Sequence, residues 1–171
     1  LRNNPKIFDK GYCLAGAVGS FRFIQLVEFL DEPSRQFNGL RMQDPYRWVI
    51  QVFVDGKLKP YLKEKEYTMH EDEKILMILG EKIFIIESDF QVGEIRENYF
   101  AIGSGAKYAL GALFSMGQMF TKDSVDIHRI IYSCLGAAKF YDKGSGGDSI
   151  IITKNFSDEQ KTHQLSQDSS I

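Results

Sequence analysis

Cysteine is scarce, with two in 171 residues, and proline is limited to four. A disulfide-built miniprotein is excluded, and so is a proline-rich linker. Neither Cys13 nor Cys134 has a CxxC partner, and each sits in an apolar stretch, GYCLAGAV or IIYSCLGAA. Both read as reduced core thiols, which points to the cytosol. Charge of one sign is also lacking. Lys plus Arg number 21 and Asp plus Glu 23, a net charge of -2. No electrostatic footprint for nucleic acid or an anionic membrane exists. No apolar run approaches the ~20 residues of a bilayer span. No signal segment follows Leu1, which is not Met, so the sequence is expected to start inside a longer translation product or after a processing event.

What remains is ordinary globular material, 43% hydrophobic and 26% charged, enough for one domain with a sizeable core. Residues 1–153 are expected to form that domain. Residues 154–171, polar and low in aromatics, are expected to form a tail lying on a neighbouring subunit.

Hydrophobic periodicity predicts strands over Lys6–Phe8 and Tyr12–Val18, then a helix carrying Phe21, Leu26, Phe29 and Leu30 with Ile24 and Val27 beside them. Asp44-Pro45 predicts a helix start, followed by the stripe Trp48, Val49, Val52, Phe53 and Leu58 and limited by Gly56 and Pro60. Residues 62–73 read as a solvated charged loop. Lys74–Leu79 and Lys82–Glu87 read as a hairpin about Gly80-Glu81, with Ile83–Ile86 covered on both faces. Gln91–Ile95 and Tyr99–Ile102 extend the β region. Tyr108 to Phe120 is predicted helical, and a further helix is expected to open at Ser124 with Asp126 in its first turn. Ile127, Ile130, Ile131, Cys134 and Ala138 form its stripe, and Ser149–Thr153 reads as a last strand. Strands in blocks and helices in pairs predict an α+β fold.

Three glycine-rich joints could carry chemistry. Ala15-Gly16-Ala17-Val18-Gly19-Ser20 joins strand to helix, where unpaired N–H groups of a helix start could hold an oxyanion; a plain turn is the other reading. Ala101-Ile102-Gly103-Ser104-Gly105 repeats that arrangement. It is not a phosphate loop, because GxxxxGK[ST] is absent, and Ser104 could equally be a helix cap. Asp142-Lys143-Gly144-Ser145-Gly146-Gly147 can fold back as a tight turn. His70, His128 and His163 lack metal-ligand spacing and read as surface residues, so no metal and no cofactor is expected.

In order, Asn4-Pro5-Lys6-Ile7, Ala15-Gly16-Ala17-Val18-Gly19, Gly103-Ser104-Gly105 within AIGSGAKYA, and the D-x-x-S-G-G of Asp142–Gly147 resemble the proteasome β-subunit and HslV family of N-terminal nucleophile hydrolases. The resemblance spans roughly residues 3–153 and is nearest to proteasome-like proteins of bacteria and their phages. It implies a four-layer α-β-β-α sandwich and a threonine-type peptidase whose nucleophile is the first residue of the mature chain. Lys6 would place a positive charge beside that nucleophile. The Gly19 N–H would donate to the oxyanion. Asp142, Ser145 and Ser104 would surround the terminal amine, and Ala17 would lie near the substrate side-chain pocket. The family's opening pair of strands, with its Thr and an Asp that pairs with the lysine, has no counterpart between Leu1 and Lys6. The nucleophile is therefore expected upstream of Leu1. The resemblance also implies self-association into a ring, peptide or unfolded-protein substrates, and an ATPase among the partners it admits, in the cytoplasm or, for a phage protein, the virion. Two alternatives stand beside it: a non-catalytic assembly or virion-associated subunit, and an N-terminal nucleophile amidase acting on small amides.

Overall fold

A computed structural model of the chain describes residues 5–119 and 126–155. Two short strands, β1 (Ile7–Asp9) and β2 (Leu14–Val18), open the sheet. The turn between them places Gly11 at φ +78, and Asp9 Oδ1 accepts its N–H at 2.8 Å. Lys154 reaches back to this turn, donating to Asp9 Oδ1 at 2.8 Å and to the Gly11 carbonyl. From residue 156 onward the expected tail lies outside the described residues. Next come β3 (Lys74–Leu79), β4 (Lys82–Ile86) and β5 (Val92–Ile95). All neighbours are antiparallel, in the order β1-β2-β3-β4-β5. The hairpin expected at Gly80-Glu81 is present, with Gly80 at φ +60.

Register decides which residues share a face. Ala15 lies opposite Met77 and Met77 opposite Phe84; Ala17 lies opposite Ile75 and Ile75 opposite Ile86. These six are buried together, as the side-chain period of two requires. The reverse face carries Leu76, Ile78, Ile83 and Ile85, all half-buried.

The buried face is covered by helices. Ser20 caps α1 (Phe21–Glu28), its Oγ accepting the Phe23 N–H at 3.1 Å. Phe23, Ile24, Leu26 and Val27 are buried there, whereas Phe21 and Phe29 are exposed. The stripe is thus rotated from the expected one, because Ser20 starts the helix and sets its phase. The small side chains of Ala15 and Ala17 let α1 approach β2 closely.

After α2 (Asn38–Gln43), Asp44 caps α3 (Pro45–Trp48) as expected, its Oδ1 accepting the Arg47 N–H at 3.0 Å. Neither Gly56 nor Pro60 stops the helical path. It continues through a π-helical stretch, Val49–Leu58, into α4 (Lys59–Glu64). The Lys59 N–H bonds the Val54 carbonyl, five residues back. Wide π spacing gives Pro60, which has no N–H and clashes with the i−4 carbonyl in a regular helix, a place to sit. The charged loop therefore begins only after Glu64, and it is not wholly solvated: Met69 and Glu73 are buried.

A second cluster joins α5 (Ala106–Met119) to α6 (Ile127–Tyr141) through Ala109, Cys134 and Ala138, with Ala112, Leu113, Met116 and Ile130 around them. Asp126, expected in the first turn of α6, is its N-cap instead, accepting from the His128 and Arg129 N–H groups. Ser124 lies outside the described residues. Residues 99–102 and 149–153, expected as strands, carry no ladder. An extended segment becomes a strand only when a neighbour completes its hydrogen bonds, and the described residues form one sheet. Cys13 and Cys134 are both buried free thiols, and burial pushes the Cys13 thiol up to about 12. No helix among the described residues is long and apolar enough to cross a membrane.

Phe84 is fully buried at the centre of this core. Phe84→Ala is expected to cost about 3–5 kcal/mol, read as a lowered urea midpoint with an unchanged slope.

Candidate functional site

The turn after β2 is built around a carboxylate. Gly19 has φ +119, and a Cβ placed on it would lie 2.3 Å from Glu73 Cγ. Only glycine fits there, on both conformational and steric grounds. Glu73 itself is 0% exposed. Its Oε1 accepts from the Ser20 N–H at 3.2 Å, from Ser20 Oγ at 2.6 Å and from Tyr67 Oη at 2.6 Å; its Oε2 accepts from the His70 N–H at 3.0 Å. Burial pushes the Glu73 carboxyl up, but the bonds from Ser20, Tyr67 and His70 outweigh it and hold the group below the usual glutamate range. Burial and the adjoining carboxylate push Tyr67 up. The positive end of the α1 dipole faces the same carboxylate.

At the start of α1 the Ser20 N–H is taken by Glu73 and the Phe23 N–H by Ser20 Oγ, while the Ile24 N–H makes the first regular bond of the helix, to the Ser20 carbonyl.

A second polar cluster forms where α5 begins and α6 ends. Asp142 Oδ2 accepts from Ser104 Oγ at 2.7 Å and from Ser145 Oγ at 2.6 Å. The Ser145 N–H also bonds the Asp142 carbonyl at 3.1 Å, closing the tight turn. The bond from Ser145, then that from Ser104, holds the Asp142 carboxyl below the usual range. The glycines around this cluster have steric reasons. A Cβ on Gly105 would lie 2.4 Å from Ser145 Oγ, and one on Gly144 would lie 2.8 Å from Ser104 Oγ. With both hydroxyl protons spent on Asp142, the outward lone pairs of two serines and a carboxylate make an acceptor set. Such a set suits an ammonium or amine donor.

The remaining expected residues lie along β1 and β2. The Ala17 N–H donates to the Lys6 carbonyl at 2.9 Å, so Lys6 is set beside Ala17. The Lys6 side chain is exposed. The Ala17 methyl is 1% exposed and faces the helix-covered core. A Cβ on Gly103, which has φ +101, would lie 3.5 Å from Val18 Cγ1. The structure thus brings Ser104, Asp142 and Ser145 into direct contact and seats their joint against the end of β2, one residue before Gly19. It draws no hydrogen bond between Lys6 and that cluster among the described residues. Glu73 and Tyr67 were not foreseen. Glu73 lies 53 residues from Ser20 in the chain, so no local pattern could announce the pair.

The sequence matches no family model and no curated protein. Solved structures do match. BPH of Thiobacillus denitrificans in complex with epoxomicin aligns with a TM-score of 0.58 at 24% identity, over 85% of this chain and 76% of that one. A second structure of BPH aligns with 0.57 at 23% identity, over 85% and 76%. Eukaryotic HslV from Trypanosoma brucei aligns with 0.50 at 18% identity, over 83% and 76%. The chain has the HslV-like, proteasome-type fold. In this HslV-like fold the β2–α1 joint and the Ser104–Asp142–Ser145 cluster adjoin one another through Val18 and Gly103.

Because the folded pKa of Glu73 lies below its ordinary 4.5, its contribution to stability is full above that value. It is lost as pH falls from there through the lower folded value. Wild type is expected to lose stability over that interval, and Glu73→Ala to show a shallower loss from a starting point about 2–4 kcal/mol lower. Urea midpoints measured from pH 7 to pH 3 check both.

Proposed function

We propose that this chain is a subunit of a self-compartmentalising threonine-type peptidase, hydrolysing peptide bonds with a terminal nucleophile located upstream of Leu1. The observation that carries the reading is the convergence of Ser104 and Ser145 on Asp142 Oδ2, at a joint packed against the end of β2. The HslV-like fold supports it.

The chemistry follows from the acceptor set. A terminal α-amine, with an ordinary pKa of about 7.7–8.0, would bond to Asp142 and the two serine oxygens and so be held in place. It would take the proton of the adjacent hydroxyl as that oxygen attacks the peptide carbonyl. Lys6 would favour the developing negative oxygen and lower the amine's pKa by charge repulsion. The Gly19 N–H would bond the tetrahedral oxyanion. The amine would return its proton to the leaving nitrogen, and water would release the acyl group. Metal and cofactor have no part in this scheme.

A second sheet would cover Leu76, Ile78, Ile83 and Ile85 and complete the four-layer sandwich. Exposed Phe29, Phe114, Ile127, Phe140 and Tyr141, with Phe140 at 81% exposure, favour burial against other subunits in a ring. Residues 1–153 would form the hydrolase domain of each subunit, and the tail beyond Lys154, which clasps its own β1–β2 turn, would lie on a neighbour.

Epoxomicin, which BPH was solved with, is the natural probe. The protein expressed from its complete gene is expected to be labelled at its terminal residue and to hydrolyse fluorogenic peptides. Lys6→Ala is expected to lower the rate by about 100-fold or more, and Asp142→Asn by about tenfold or more. Native mass spectrometry is expected to give a closed homo-oligomer. A closed homo-oligomer with neither labelling nor hydrolysis would establish the non-catalytic subunit instead.

A further inference from the structure

Glu73 has no role in the chemistry above, yet the turn that chemistry needs is shaped around it. Its carboxylate is fully buried, and among the described residues each hydrogen bond to it comes from a neutral donor: the Ser20 N–H, the Ser20 and Tyr67 hydroxyls, and the His70 N–H. A buried charge is a poor way to gain stability, because well-packed apolar side chains of similar volume often do as well or better. What a satisfied buried network does supply is a single geometry.

Here that geometry belongs to the β2–α1 turn. Ser20 is gripped twice, once through its backbone and once through its hydroxyl, by the same oxygen. The Ser20 hydroxyl in turn fixes the first turn of α1 through the Phe23 N–H. Gly19 lacks a side chain at the point where one would strike Glu73. On the other side, Val18 Cγ1 lies where it would touch a Cβ added to Gly103, the neighbour of Ser104. A shift in Glu73 therefore moves the Gly19 peptide relative to the Ser104–Asp142–Ser145 cluster.

We propose that Glu73 is a positioning residue for the hydrolytic centre: by holding Ser20 from beneath, it sets the Gly19 peptide at the distance from the nucleophile that the oxyanion requires. This rests on the peptidase reading. Tyr67 serves as its clamp, since its hydroxyl donates to the oxygen that grips Ser20.

The test compares wild type, Glu73→Gln and Tyr67→Phe, each expressed from the complete gene. Glu73→Gln preserves volume but replaces one acceptor oxygen by a donor. Epoxomicin labelling is expected in all three. For Glu73→Gln, kcat should fall by about tenfold or more while KM stays within about threefold, the mark of an interaction realised in the transition state. Tyr67→Phe should lower kcat by about two- to fivefold. A kcat within twofold of wild type in a folded Glu73→Gln would overturn the proposal. Should that variant not fold, an unchanged kcat in Tyr67→Phe would overturn it. If wild type is neither labelled nor active, the peptidase reading fails by itself. Amide exchange then judges the grip: Glu73→Gln, or Tyr67→Phe if it alone folds, should speed exchange at Ser20 and Phe23 by about tenfold, and unaltered exchange there would sink the positioning role.

Discussion

A buried carboxylate held by backbone and hydroxyl donors is the constraint around which the helix-covered side of this protein is arranged. Glu73 is held as a carboxylate in the interior by four donor contacts, two from Ser20 and two from Tyr67 and His70 in its own loop. That requirement dictates where α1 begins, why residue 19 has no side chain, and why the segment after α4 turns inward at Met69. The helix dipole adds to the same balance, since the first turn of α1 points its positive end toward the carboxylate. Removing any single donor would leave the others bonding a less stable anion. The network is therefore cooperative, and its effect is felt as much in position as in energy.

The second carboxylate has the opposite character. Asp142 sits near the surface, and its two serine partners come from different helix ends, 38 residues apart in one case and three in the other. Gly105 and Gly144 are glycines because these hydroxyls occupy the space a methyl group would need. The two polar sites adjoin at Val18 and Gly103, where a Cβ added to the glycine would lie 3.5 Å from Val18 Cγ1. Close packing there carries registration from one half to the other.

Much of this was legible in the chain. Asp44-Pro45, the Gly80 hairpin and the apolar runs Lys74–Leu79 and Lys82–Glu87 follow from local rules, and the structure forms them, with the second strand ending at Ile86. The link between Ser104, Asp142 and Ser145 came from ordered motifs rather than from any periodicity. Three features stayed hidden for physical reasons. Pro60 reads as a stop, because a π-helical detour is set by burial of Val52, Phe53 and Leu58 and not by propensity. Residues 99–102 and 149–153 have strand composition, but composition cannot supply a ladder partner. Glu73 sits in a run of charges, and nothing in the run distinguishes the one residue whose acceptor is needed 53 positions earlier.

Lys154 holds the β1–β2 turn from 145 residues away, through Asp9 and the Gly11 carbonyl. A chain emerging from the ribosome presents the β1–β2 hairpin long before it presents this lysine. The clasp is consequently available only after every strand of the described sheet and both long helices have been made.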